Sequence, residues 1–208
     1  MTGLEASGIT VTFDGVTVLD GVDLVAPAGS VTGVTGPSGS GKTTLLRVLS
    51  GLQRPDAGEV TYRGRPTAPT GSVALLAQHP RLVCNPRWTL GRIVAEPAVI
   101  RRERIDLDEI AVRVGLEPEL LDRYPGQVSD GQLQRACLGR VLIQRAEVVL
   151  CDEPTAMLDP IATGAVTATL REIAADGATV VLVSHDPWVV QALTDNPQHA
   201  LALPRPLG

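Results

Sequence analysis

The sequence predicts an α/β fold built on a parallel or mixed sheet, in a single domain over residues 1–208. Short apolar runs in residues 30–36, 72–78, 147–154 and 178–186 are typical of strands that are buried on both faces. Helical patterns separate these runs, and strands that alternate with helices indicate a parallel sheet. A mostly helical block at about 80–145 interrupts the alternation, which predicts an inserted helical subdomain.

The N-terminal part is expected to form a separate antiparallel β subdomain. Apolar and polar residues alternate over residues 8–30, with turn signals at Asp14-Gly15 and at residues 27–29. Residues 56–66 are predicted to form a hairpin. Between them, Leu45, Leu46, Leu49 and Leu52 recur at helical spacing, which predicts a helix over residues 42–52.

The C-terminal part continues the α/β pattern. A helix is predicted over residues 159–177, where Gly177 ends it, and the apolar strand 178–186 follows. The tail, at about 196–208, contains Pro197, Pro204 and Pro206 and is predicted to be loose.

Composition favours a protein of a reducing compartment. The net charge is -5, which argues against a bare nucleic-acid binder, so no nucleic-acid partner is expected. The three cysteines lack CxxC spacing, so we expect buried, reduced thiols without a disulfide framework or a zinc site. The first residues do not resemble a signal peptide, and no apolar run reaches the ~18 residues of a membrane span. The sequence therefore predicts a cytoplasmic location unless another protein holds the chain at a membrane.

Lys42 is the only lysine among 18 basic residues, and it lies in the glycine-rich stretch 33–44. The pattern Gly36-x-x-x-x-Gly41-Lys42-Thr43 follows a predicted strand and precedes a predicted helix, which is the context of a phosphate-binding P-loop. Such a loop turns backbone N–H groups towards phosphate oxygens, with a lysine at the β- and γ-phosphates and a hydroxyl at Mg²⁺. The expected nucleotide-binding residues are Gly36, Ser38, Gly39, Ser40, Gly41, Lys42, Thr43 and Thr44. The motif predicts a P-loop NTPase core, and by itself it leaves kinases, GTPases and ATPases open.

Two acidic residues end the apolar strand 147–154. Asp152 is expected to hold Mg²⁺, directly or through water, and Glu153 is expected to polarise the water that attacks the γ-phosphate. An adjacent pair of acids alone would more often lie at the surface. The buried strand before the pair and the P-loop elsewhere in the chain favour the catalytic interpretation.

Residues 127–142 resemble the signature segment of the ATP-binding cassette family, which usually contains Leu-Ser-Gly-Gly-Gln at the start of a helix. Here the segment contains Val128-Ser129-Asp130-Gly131-Gln132, and the resemblance extends over about residues 8–190. It implies that ATP is the substrate, and that Ser129, Gly131 and Gln132 face an ATP bound by a second cassette.

Other positions resemble further elements of this family. Gln78 resembles the glutamine that senses Mg²⁺ and the membrane partner, and Asp159 resembles the residue that crosses the dimer interface. His185 resembles the histidine that contacts the γ-phosphate. Phe13 lies where the family often places an aromatic residue on adenine; a position in the core is the alternative for this residue.

Asp130 departs from the family pattern, because it replaces the first signature glycine. Its carboxylate has two alternative directions. It either caps the first turn of the following helix or points towards the nucleotide, where it would be repelled and would weaken one of two ATP sites. We expect the cap.

Residues 85–97 and the segment Arg123-Tyr124-Pro125 resemble cassettes of dipeptide, oligopeptide and nickel importers. The resemblance implies a Mg²⁺-dependent ATPase at the inner face of the cell membrane, paired with an identical or paralogous cassette and with separate permease subunits. A soluble ABC ATPase outside transport, a P-loop kinase for small molecules and a degenerate subunit that only binds ATP are the alternatives.

Overall fold

The computed structural model describes residues 2–156, 158, 160–194 and 200–204. The strands are β1 (Thr2–Phe13), β2 (Val16–Pro27), β3 (Val31–Thr35), β4 (Ala57–Tyr62), β5 (Val73–Leu76), β6 (Val148–Asp152), β7 (Thr179–Val183) and β8 (Ala200–Ala202). The α-helices are α1 (Lys42–Leu49), α2 (Pro80–Val83), α3 (Leu90–Arg101), α4 (Leu107–Arg113), α5 (Asp130–Gln144), α6 (Pro160–Ala175) and α7 (Pro187–Leu193), and two short 3₁₀ helices span Pro118–Leu120 and Pro125–Gln127.

The central sheet has five strands in the order β5-β6-β7-β3-β8. The pairs β3–β7, β6–β7 and β3–β8 are parallel. Every residue of β6 and β7 is buried, as their continuous apolar runs predict. The α/β fold with a parallel sheet is therefore confirmed.

The second sheet is antiparallel, with the order β2-β1-β4. The turn between β1 and β2 is the predicted Asp14-Gly15 pair, and both residues have positive φ angles, of 48° and 83°. Two consecutive positive φ angles suit the twist of a hairpin. The predicted hairpin over residues 56–66 is confirmed only at its turn. Tyr62 and Arg65 exchange two backbone hydrogen bonds around Arg63 and Gly64, which have φ angles of 50° and 75°, but no second strand follows and β4 pairs with β1 instead. Pro66, which has no N–H to donate, follows at once, and β1 offers a long edge for pairing.

The tail is better ordered than predicted. Ala200–Ala202 form β8 beside β3, and Leu203 is buried and donates its N–H to the carbonyl of Thr35. The prediction of a loose tail is therefore wrong for residues 200–203, because small apolar residues there extend the sheet and cover its edge. The remaining tail residues 196–199 and 205–208 lie outside the described residues.

The chain divides into two compact units. Unit 1 comprises Met1–Leu75, Ala146–Glu153 and Arg171–Gly208, and unit 2 comprises Leu76–Arg145 and Pro154–Leu170. The helical block expected at about 80–145 falls within unit 2, which also takes in the segment from Pro154. The core of unit 1 joins the inner face of the antiparallel sheet to α1 and the central strands, through residues such as Leu4, Ile9, Leu45, Leu49 and Leu150. In unit 2, α3 packs against α5.

The three cysteines are buried and free of disulfide bonds, as expected. Within the residues that the structure describes, no helix has both the length and the apolar character that crossing a membrane requires.

Candidate nucleotide site

Close packing explains the glycines of the loop between β3 and α1. A Cβ atom on Gly36 would lie 2.5 Å from the Oγ of Ser40. A Cβ atom on Gly41 would lie 2.8 Å from the Cδ2 of Leu19, and the φ angle of Gly41 is 88°, a conformation that disfavours other residues. The neighbouring side chains therefore leave no room for a Cβ atom at Gly36 or Gly41, and glycine is required at both positions.

Lys42 opens α1 and turns its side chain back over this loop. Its ammonium group donates hydrogen bonds to the carbonyls of Gly36, at 2.8 Å, and of Pro37, at 3.0 Å. The N-cap residue of α1 is Gly41, and no side chain caps this helix end. The first N–H groups of α1 and the ammonium of Lys42 thus lie at one end of the loop, an arrangement that suits phosphate oxygens.

Asp152 and Thr43 form a pair of oxygen donors beside the loop. The Oγ1 of Thr43 donates a hydrogen bond to the Oδ2 of Asp152, at 2.9 Å. Asp152 is the last residue of β6 and is buried, and this burial raises the pKa of its carboxyl group, against the opposing effects of Thr43 and Lys42. A hydroxyl and a carboxylate are hard ligands of the kind that Mg²⁺ prefers, so this pair fits that ion.

Glu153 is held by the segment that follows β7. Its Oε1 accepts the backbone N–H of His185, at 2.8 Å, and its Oε2 lies 2.9 Å from the Nδ1 of His185. The hydroxyl of Ser184 donates to the same Oε2, at 3.3 Å. Glu153 is buried, whereas 66% of the His185 side chain is exposed, so the carboxylate is fixed beneath an accessible imidazole.

The parallel register of β6 and β7 produces this arrangement. Asp152 pairs with Val183, so the residues that follow the two strands emerge at the same edge of the sheet. Glu153 has a φ of 48°, and its N–H donates to the carbonyl of Val183. A left-handed conformation costs a residue with a Cβ atom about 1–2 kcal/mol, and such strain often occurs at functional sites.

Phe13 lies at the outer end of the β1–β2 hairpin. It pairs with Val16, and each of these residues is 46% exposed. The hairpin contacts the P-loop further along, where Val18 and Leu19 both approach Gly41. The core alternative for Phe13 is wrong, because almost half of this side chain is exposed.

In unit 2, the segment that resembles the family signature begins α5. The Oγ of Ser129 accepts the N–H of Gln132, at 3.1 Å, and the Oε1 of Gln132 accepts the N–H of Ser129, at 2.9 Å, which is a capping box. Asp130 is the first helical residue, and its Oδ1 accepts a hydrogen bond from the Nε of Arg81, at 2.5 Å. The prediction that Asp130 caps the helix is therefore wrong. Ser129 occupies the cap position, and the carboxylate of Asp130 is paired with Arg81.

Unit 1 brings together most of the predicted site residues at the carboxyl edge of β3, β6 and β7. Gln78 follows β5, in unit 2, and is half-buried. Asp159 lies outside the described residues. Sequence reasoning missed Ser184 and Arg81; the polar sequence Ser184-His185 directly after an apolar strand was a signal for Ser184, whereas Arg81 had none.

Comparison with known proteins identifies the family. The sequence model described as "ABC transporter" matches residues 19–156. The chain belongs to the ABC transporter family. The predicted membership is therefore confirmed, and so is the predicted class of function, an ABC ATPase. A P-loop kinase for small molecules is not favoured.

Curated relatives of this ABC chain are ATP-binding proteins of several transport systems. The L-cystine transport system ATP-binding protein of Escherichia coli is 36% identical over 205 residues, which cover 89% of this chain and 81% of the relative. An Fe(3+) ions import ATP-binding protein of Rhodococcus jostii is 39% identical, over 88% of this chain and 55% of the relative. The oligopeptide transport ATP-binding protein of Escherichia coli is 32% identical, over 85% and 58%. The chain thus spans little more than half the length of the iron and oligopeptide relatives.

Solved ABC cassettes share the fold. A dimeric ATP-binding cassette in a post-hydrolysis state, bound to ADP and Pi, superposes with a TM-score of 0.84 at 25% identity. The match covers 96% of this chain and 94% of that one. The common fold and the family support ATP as the nucleotide.

Proposed function

We propose that this ABC chain binds ATP with Mg²⁺ and hydrolyses it to drive transport through permease subunits on other chains. The observation that carries the proposal is the carboxylate of Glu153, which is fixed by Ser184 and His185 at the same sheet edge as the Asp152–Thr43 pair. Binding groups and a candidate base thus lie at the carboxyl ends of β3 and β6, on either side of β7, where ligands of α/β sheets are typically bound.

The P-loop is the proposed triphosphate site. Backbone N–H groups of the loop and of the first turn of α1 bind phosphate oxygens, and Lys42 exchanges its carbonyl partners for the β- and γ-phosphates. Phe13, exposed at the outer end of the β1–β2 hairpin, stacks on adenine. The proposed binding residues of the loop are Gly36, Ser38, Gly39, Ser40, Gly41, Lys42, Thr43 and Thr44.

Thr43 and Asp152 are the proposed Mg²⁺ ligands in unit 1, and Gln78 is the proposed ligand in unit 2. When it is bound, Mg²⁺ neutralises charge on the β- and γ-phosphate oxygens. The raised pKa of Asp152 means that burial opposes its ionised form, so a cation beside it relieves an unfavourable burial of charge.

Glu153 is the proposed base. Each carboxylate oxygen has two lone pairs. Both lone pairs of Oε2 are used by the Ser184 hydroxyl and the Nδ1 of His185, whereas Oε1 accepts only the N–H of His185, so Oε1 can accept a proton from the attacking water. Those bonds fix the direction of the carboxylate, and positioned bases of this kind typically contribute 10²–10⁴-fold to a rate. His185 donates its Nδ1–H to Glu153, so a hydrogen bond from its Nε2 to the γ-phosphate requires that Nε2 also carries a proton.

The proposed partners are a second cassette, identical or paralogous, and integral membrane permeases at the inner face of the cell membrane. Ser129, Gly131, Gln132 and Asp159 of one cassette complete the ATP site of the other. We further propose import of a peptide, nickel or a similar small solute. This cargo class rests on the segments 85–97 and 123–125. The iron relative is named for import, and the different cargoes of the cystine, iron and oligopeptide relatives favour none of them over the others.

Glu153→Gln tests the proposed function. We expect kcat for ATP hydrolysis to fall by about 10²–10³-fold, because an amide does not accept the proton, while binding of a fluorescent ATP analogue is retained. The matched control is Glu147→Gln, just before the first residue of the same strand, where the carboxylate pairs with Arg65 instead. This control should hydrolyse ATP within about twofold of wild type.

The rates are compared for the chain alone and, if the chain alone is inactive, for the chain in complex with its permease. Equal hydrolysis by Glu153→Gln and wild type would show that Glu153 is not the base.

A further inference from the structure

Arg81 makes an unusual set of contacts with the segment before α5. In addition to the bond from its Nε to Asp130, its Nη1 donates to the carbonyl of Pro125, at 2.6 Å, and its Nη2 donates to the carbonyl of Val128, at 2.7 Å. All three nitrogens of one guanidinium group therefore bind residues 125–130. This stretch connects the second 3₁₀ helix to the capping box of Ser129.

We propose that Arg81 is a positioning residue for the signature segment. By bonding to Asp130, it allows a carboxylate at position 130 without repulsion of the nucleotide. The inference rests on the proposed function, in which Ser129 and Gly131 face the ATP of a second cassette. An unpaired carboxylate at position 130 would repel the triphosphate, since like charges brought together at an interface cost binding energy. With the guanidinium bonded to Asp130, the pair is neutral and the carboxylate is directed at Arg81.

The two backbone contacts are essential to the argument. The side chains of Arg81 and Asp130 are 44% and 43% exposed, and an isolated ion pair so exposed contributes little. A planar guanidinium that also binds two carbonyls loses less freedom for each further bond, because its geometry is already fixed. Arg81 thereby holds the course of the chain up to Ser129, whose hydroxyl and N–H are both used in the capping box.

Arg81 could affect dimerisation by neutralising Asp130 or by holding the backbone of residues 125–128, and a double-mutant cycle separates these two contributions. The parent is Glu153→Gln, in which stopped turnover lets the ATP-bound dimer accumulate. On it we would place Arg81→Ala, Asp130→Gly and the two together, with Arg87→Ala as a control that removes another exposed arginine of unit 2. The readout is the ATP concentration at the midpoint of dimerisation, measured by light scattering with Mg²⁺.

We expect Arg81→Ala to raise this midpoint by about tenfold or more, because it leaves the carboxylate unpaired. In the Asp130→Gly background, the same change should raise the midpoint by less than about threefold, since no charge remains to be neutralised. Arg87→Ala should leave it within about twofold. Equal costs of Arg81→Ala in both backgrounds, or no cost in either, would overturn the proposal.

A second measurement does not depend on dimerisation. Amide hydrogen exchange of residues 125–132 in the parent chain should become at least about tenfold faster in Arg81→Ala and remain unchanged in Arg87→Ala. Exchange that is unchanged in Arg81→Ala would overturn the positioning role even if the chain needs a paralogous partner to dimerise. A parent that fails to bind a fluorescent ATP analogue would instead refute the proposed function itself, and this inference with it.

Discussion

The proposed ATP-binding residues of unit 1, here called the nucleotide half, and the segment of unit 2 that resembles the family signature, here called the signature half, are built in different ways. In unit 1, Asp152 ends a strand whose residues are all buried, Glu153 follows it, and both acids are buried. In unit 2, the signature segment begins a helix. Asp130, which replaces a glycine of the family pattern, forms an exposed ion pair with Arg81. The acids of unit 1 are therefore fixed by buried strands, whereas the exposed helix start of unit 2 accommodates Asp130 because Arg81 bonds to it.

The largest expected effect is on the affinity of the monomer for ATP, which should depend on the nucleotide half and not on the signature half. Lys42→Ala removes the buried ammonium of the P-loop and should weaken binding of a fluorescent ATP analogue by about 100-fold or more, because charge-assisted bonds to phosphate are lost. Ser129→Ala, in unit 2, should change this binding by less than about threefold and lower turnover instead. The affinities are measured by titration at protein concentrations that keep the chain monomeric.

The comparison would be broken by equal losses of affinity in the two variants. In that case the signature half would take part in binding within one chain, rather than across a dimer. Ser129→Ala also removes a helix cap, which typically costs about 1 kcal/mol, so its folded state is verified by thermal unfolding.

A smaller effect is expected from the packing of the P-loop. Gly41→Ala would place a methyl group 2.8 Å from Leu19 and 3.0 Å from the carbonyl of Val18, in a left-handed conformation. We expect the free energy of unfolding to fall by about 2–4 kcal/mol, the sum of conformational strain and overpacking. ATP affinity should fall as well.

Gly51→Ala is the matched control for this change. Gly51 follows the other end of α1 with a φ of 73°, and a methyl group there would meet no heavy atom of the described residues within 4 Å, apart from its own chain neighbours. It should lose only about 1 kcal/mol, from the left-handed conformation alone. If both variants lose the same stability, steric contact with the β1–β2 hairpin does not determine the shape of the loop.

The strands, the loop and the helix that carry the nucleotide half were predictable from the sequence because their signals are short in range. The glycine loop before a helix, and the apolar run that ends in Asp152 and Glu153, are each contained in one continuous segment. The parallel arrangement then follows from the alternation of strands with helices. Whether each side chain has the proposed role is decided by the experiments above.

The sequence could not predict contacts that join distant segments. Arg81 and Asp130 are 49 residues apart, and nothing in either segment indicates the other. For the same reason, Asp130 was expected to be a cap: its residue type favours that role, while the local position already belongs to Ser129. The partner of β4 and the addition of β8 beside β3 likewise depend on which sheet edges are open, and only the assembled fold shows this.

The smallest expected effect concerns the side-chain hydrogen bonds to carbonyl groups at the end of one helix in each unit. Tyr62 is buried, burial raises its pKa, and its hydroxyl donates to the carbonyl of Leu49, the last residue of α1, at 2.8 Å. In unit 2, Arg101 donates to the carbonyls of Ile143, at 2.7 Å, and Gln144, at 3.2 Å, near the end of α5. Water has little access to the first bond and more access to the second, since the Arg101 side chain is 31% exposed.

Tyr62→Phe should therefore lower the free energy of unfolding by about 1 kcal/mol, because the buried carbonyl of Leu49 loses its partner and water does not replace it. Arg101→Met should cost less, since its two bonds are more open to water than the buried bond of Tyr62, and the methionine keeps the apolar part of the side chain. Urea denaturation of the two variants measures both changes. A larger loss for Arg101→Met would mean that unit 2 depends on its exposed guanidinium groups more than unit 1 depends on its buried bonds, and the exposed contact of Arg81 would then be a structural requirement of that unit.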